Sequence, residues 1–223
     1  MAKKRKKQQA RKQQPAAKRQ VAEEAGVASQ PKTWGDRMVE QLNAWPLMTR
    51  ILAFITDFIC GAVGTVAVIA LPYYFMTGGK TVSTLSDYLE AGVSMPVVVL
   101  LVLVALFFSW CYYVLIPTRV WPGQTLGKHL GGLEMVMTDG STATIDTLTA
   151  RWFVMLIAET PFMAVTSYVM QLVGLVAGNT VLSAWQMIGI AGSLISLVMM
   201  IRSKDHRALH DRVAGTWVYS GNQ

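Results

Sequence analysis

The chain has 223 residues, 52% of them hydrophobic and only 15% charged, and its 20 Lys and Arg outnumber 13 Asp and Glu for a formal net charge of +7. A soluble domain carries about 25% charged residues, spread so that each helix keeps a polar face. Here the apolar residues are gathered into blocks long enough to cross a bilayer, which excludes an ordinary soluble enzyme or a disulfide-stapled secreted module.

Residues 1–20 hold nine Lys and Arg and no acid. Such a block repels itself and buries nothing, so residues 1–32 are expected to form a basic, disordered tail. Three readings stay open for it: an orientation-setting tail, a contact with anionic lipid headgroups, and a nucleic-acid contact. The last is not expected, because no aromatic residues are interleaved with the charges. The segment also lacks the apolar core of a secretory signal, so membrane targeting is expected to rest on the first apolar block. In residues 33–48, Trp34, Met38, Leu42 and Trp45 share one helical face. That predicts a short amphipathic helix in the membrane interface, ended or kinked at Pro46.

Residues 49–219 are expected to form an all-α transmembrane bundle of four spans, near 51–71, 96–116, 152–176 and 181–201. In the first, Arg50 and Asp57 lie seven residues apart on one helical face, separated by about 10 Å along the axis. A carboxylate at that depth must be protonated, paired or turned to a polar cavity. Cys60 and Cys111 fall inside spans with no metal or redox spacing and read as packing residues. Segment 72–95 carries a Gly78–Gly79 turn and a short helix near Thr84–Leu89, with no catalytic constellation. In the loop 117–151, Pro122–Gly123 and Asp139–Gly140 mark turns, and the alternation through Leu133, Met135 and Met137 permits a short strand. The spacing Gly123, Gly127, Gly131 suits close packing, and the sequence around Lys128 does not match a phosphate-binding loop.

Span three holds Glu159 and, two residues on, Pro161, which frees a backbone carbonyl and predicts a kink. Span four presents Gly189, Gly192, Ser193 and Ser196 as a close-packing face. Of the 20 basic residues, 12 precede or open span one, three lie in 117–151, four follow from Arg202, and one, Lys80, lies in 72–95. This places both termini in the cytoplasm and makes the protein a multi-pass component of the cell membrane.

The motifs R-I-L-A-F-I-T-D at Arg50–Asp57, G-Q-T-L-G-K at Gly123–Lys128, D-G at Asp139–Gly140, Arg151 at a span start, and R-A-L-H-D-R-V-A-G-T at Arg207–Thr216 resemble the RDD family of small membrane proteins. The resemblance covers roughly residues 46–219. It implies a helical membrane bundle and a suspected role in transport, with Arg50, Asp57 and Asp211 as the family's naming residues and Gly123, Thr125, Gly127 and Lys128 as its loop motif. Position 129 is His where the family commonly has Arg.

Two functions compete. Asp57 and Glu159, with Arg50 and Arg151 at the cytoplasmic ends, suit a transporter of a small ion or solute, and four spans would then imply a homo-oligomer. The alternative is a non-transporting adaptor or assembly factor in which the same residues are structural. Arg50, Asp57 and Asp211 are expected to form one polar cluster, with Arg207 or Arg212 as the second base. His206 and His210 are four residues apart, yet they match no zinc or nucleophile motif. Neither an enzyme, a metal nor another cofactor is therefore expected.

Overall fold

The computed structural model describes residues 46–160, 163–203 and 206–220. The basic tail and the expected interfacial helix up to residue 45 lie outside them. The described chain is helical apart from two short strands. Helix α1 (Pro46–Met76) opens on a proline, which suits the first turn, where the amide has no helical acceptor. The short α2 (Leu85–Glu90) follows, started by Asp87, whose carboxylate accepts the amides of Ser83 and Thr84 at 2.6 and 3.1 Å. Helix α3 (Met95–Trp110) then continues directly into a π-helical segment, Cys111–Val120. The loop beyond it forms α4 (Leu126–Leu130) and β1 (Leu133–Met137).

Among the described residues, three helices are long and apolar enough to cross a membrane: Leu47–Met76, Met95–Val120 and Asn179–Arg202. The stretch expected as a single span at 152–176 is instead two 14-residue helices, α5 (Ile145–Ala158) and α6 (Ala164–Ala177). The cause is local. The helical donor for the Ile157 carbonyl would be residue 161, a proline with no N–H, and that carbonyl accepts the indole N–H of Trp185 at 2.9 Å instead. Helix α7 (Asn179–Arg202) receives the break on its small residues. A side chain at Gly189 would run into Thr160, and one at Gly192 into the Ala158 carbonyl. Gly189 lies ten residues into a 24-residue helix, so the interruption sits near its mid-height, about 15 Å from the start.

Packing gives the two short helices opposite ends of the bundle. Helix α5 packs on the π-helical segment and on α8 (Leu209–Val213), whereas α6 packs on α2, where the Gln171 side chain accepts the Leu85 amide at 2.8 Å. The end that holds α4 and α8 also holds a two-stranded antiparallel sheet, β1 with β2 (Thr216–Ser220), in register Leu133↔Ser220 through Met137↔Thr216. Thr216 and Val218 point inward with Leu133 and Met135, a period-two face that closes this end of the molecule.

Candidate functional site

Among the described residues, four polar sets meet at the sheet end of the bundle, three of them built on buried carboxylates and one on the half-buried Arg50. The first is built on Asp57, which is 2% exposed. Its Oδ1 accepts the Tyr112 hydroxyl at 3.0 Å and the Gly127 amide at 2.8 Å. Its Oδ2 accepts the Thr125 hydroxyl at 2.5 Å and the Lys128 ammonium at 3.0 Å. Local sequence explains why three of these converge. Thr125 immediately precedes α4, so its hydroxyl, the early Gly127 amide and the Lys128 side chain surround one point at the helix start. Gly127 must be glycine, because a Cβ there would collide with the Ala53 carbonyl and stand 2.9 Å from the Asp57 carboxylate. Tyr113 adds a hydrogen bond to the Asp57 carbonyl at 3.1 Å. Tyr112 and Tyr113 are neighbours in the π-helical segment, and both reach α1, one at the Asp57 carboxylate and the other at the Asp57 carbonyl.

The second set joins Arg151 of α5 to Asp211 of α8. Arg151 Nε donates to Asp211 Oδ1 at 2.9 Å, and the Thr216 hydroxyl donates to the same oxygen at 3.1 Å. Burial alone would push the Asp211 carboxyl up, but the Arg151 guanidinium and His210 hold it well below the usual carboxylate range. The third set is Glu159, fully buried at the helix break. Its Oε1 accepts the His210 amide at 3.0 Å, and its Oε2 lies 2.6 Å from His210 Nδ1, which is the donor when the carboxylate is ionised. His210 Nε2 is 3.6 Å from Asp211 Oδ2, so this imidazole links the second and third sets. In the fourth, the Arg50 guanidinium donates to the carbonyls of His206, at 2.7 Å, and Val218.

These distances redraw the expected pairings. The cation on Asp57 is Lys128, not Arg50, because α4 brings the ammonium to a depth that Arg50, two turns away on α1, does not occupy. The cation on Asp211 is Arg151. Arg207 donates instead to the main-chain oxygens of Thr216 and Asp211, at 2.9 and 3.0 Å, and so ties α8 to β2. Gly123, at φ +73°, makes the turn that puts its carbonyl 2.7 Å from the Met135 amide. Tyr112 and Tyr113 are partners of Asp57 that sequence spacing did not single out, and Ser196, expected as a packing residue, accepts the Leu209 amide at 3.0 Å. A polar tip on each aromatic was the available signal; its target was not.

Between these sets lies a cavity of about 400 Å³. Arg50, Lys128, Arg151, His210 and Asp211 line its polar end, and α1 and α7 form its apolar walls. Among the described residues, no group of three or more His, Cys, Asp or Glu side chains is placed to hold a metal ion. The model of the RDD family matches residues 45–215. No curated protein and no solved structure matches the chain.

Proposed function

From the premise that this chain belongs to the RDD family of membrane proteins, we propose that it is a four-crossing cell-membrane protein that exchanges protons for a small ion or solute. The third crossing in this reading is the interrupted pair α5–α6, and the sheet end faces the cytoplasm. The observation that carries it is Glu159, a fully buried carboxylate set at a helix interruption and joined by one imidazole to the cavity at the sheet end of the bundle. Interrupted helices with an ionisable group inside the bundle are a recurring way to build a transport site. His210 lines the cavity and touches Glu159, so a proton arriving on the ring at the cavity can be passed to the carboxylate. Asp57 does not serve as the exchange site, since four protein donors already occupy its two oxygens. Four crossings leave little room for a complete path, and a second copy of the chain is proposed to complete it.

The saturation of Asp57 favours a second reading, a non-transporting adaptor whose cytoplasmic platform is α4, α8 and the sheet. Purified protein in liposomes under a pH gradient, screened against monovalent cations and small solutes, separates the two. Exchange should be measurable for the natural sequence, fall to background for Glu159→Gln, and survive in any Asp57 variant that folds. Absence of flux from folded natural protein would leave the adaptor. Topology is checked with single cysteines at Ser83 and Ser220, in a background without Cys60 and Cys111. An impermeant thiol reagent on intact cells should label position 83 alone, and labelling of 220 would reverse the orientation.

A further inference from the structure

We propose that the cavity between α1 and α7 is a binding site for one anionic phospholipid of the leaflet on the sheet side. The phosphate would sit between Arg151 and Lys128, and the first part of the acyl chains between the two helices. Arg151 carries the first half of this inference. It is 6% exposed and lines the cavity, yet it meets Asp211 through Nε alone. Among the described residues no hydrogen bond reaches its Nη1 or Nη2. Lys128 also lines the cavity and uses two of its three N–H donors, on Asp57 and on Thr125 at 3.2 Å. A phosphate needs such left-over donors rather than a bare cation, because each of its oxygens accepts a charge-assisted hydrogen bond. Both carboxylates nearby are already engaged, Asp57 with Lys128 and Asp211 with Arg151, which lowers their repulsion toward an incoming anion.

The walls carry the second half. Phe54 and Ile55 of α1 and Leu197 of α7 line the cavity and are also 37%, 45% and 41% exposed, so it opens sideways on the apolar flank of the bundle. Helix α1 packs on α3, α4 and α6, and α7 on α5, α6 and α8, which leaves them as facing walls. The lining residues lie within about 15 Å of the sheet-side ends of both helices, the depth at which headgroups give way to acyl chains. A soluble anion would have no use for the apolar walls, and a neutral lipid none for the donors. Lipid binding of this kind does not depend on transport.

The full-length protein in a neutral sugar detergent is titrated with dioleoyl phosphatidylglycerol, dioleoyl phosphatidylcholine or soluble glycerol 3-phosphate, and bound ligand is counted by native mass spectrometry. One phosphatidylglycerol should be retained, about tenfold more tightly than phosphatidylcholine, with glycerol 3-phosphate unable to displace it at equal concentration. Arg151→Lys keeps a cation for Asp211 but removes the free Nη donors, and should weaken retention about tenfold. Leu197→Trp fills the cavity mouth, touches no ion pair, and should also lower retention. The basic tail is common to all variants, so its own lipid contacts cancel. Equal retention of the two lipids, displacement by glycerol 3-phosphate, or full retention by Leu197→Trp would each overturn the site. If Arg151→Lys does not fold, Leu197→Trp decides.

Discussion

Removing the Asp57 side chain should destabilise the protein by about 3–5 kcal/mol, because it strands a buried cation and three neutral donors at once. Asp57 and Lys128 side chains are 3% and 12% exposed, so little water is present to take over when one is lost. With Asp57→Ala, the Lys128 ammonium keeps only its 3.2 Å bond to Thr125, while the Gly127 amide and the Tyr112 hydroxyl lose their acceptor. Each stranded group costs about 1–3 kcal/mol, and the losses overlap because the groups share one small space. Lys128→Ala leaves the carboxylate three neutral donors and should cost somewhat less. The double variant removes both charges and should recover about 2 kcal/mol of the summed loss. The assay is a double-mutant cycle by equilibrium unfolding in mixed micelles, followed by tryptophan fluorescence. Arg50→Ala serves as the control, since its guanidinium holds the His206 and Val218 carbonyls, and its coupling to Asp57 should stay within about 0.5 kcal/mol. A Lys128–Asp57 coupling of zero beside a large Arg50–Asp57 coupling would refute this assignment of partners.

Gly127→Ala should cost several times more stability than Gly131→Ala, read as the shift in unfolding midpoint. A Cβ at 127 meets the Ala53 main chain and Asp57, whereas the tightest contact of one at 131 is the Thr49 methyl at 3.3 Å, which can give way, with the Gly127 carbonyl and Ala53 Cβ at ordinary contact distances. Asp211 predicts an acid limb. Its carboxyl is held below its unfolded value of about 3.9, so its contribution is complete above that pH and is lost as pH falls through the depressed folded value. Melting temperature should therefore be insensitive to this group between about pH 5 and 7, and Asp211→Asn should flatten the decline below about pH 4.

How much of this was legible in the sequence depends on the range over which each cue acts. The long apolar blocks act alone, since a run of 20 such residues is a span by composition, and three appear as single helices. The interruption at Glu159 was signalled by Pro161, but hydropathy averages over the block and hides a break that one missing N–H creates. The strand β1 was visible in its alternation. The same alternation in Thr216, Val218 and the exposed Trp217 and Tyr219 marks β2, yet it sits in a basic, His-containing tail that reads first as solvated chain. The polar site was legible as a set of residues and not as a set of pairs. Arg50 and Asp57 share a helical face, which made them the natural couple at short range. Lys128 comes from 71 residues away, and only the fold-back of α4 onto α1 decides between them. A charge on a helix face tells where a partner must arrive. Which partner arrives is set by loop geometry, here a threonine before the helix, a glycine that permits contact and a lysine one residue beyond, and this spacing is the signal to seek beside a membrane-depth aspartate.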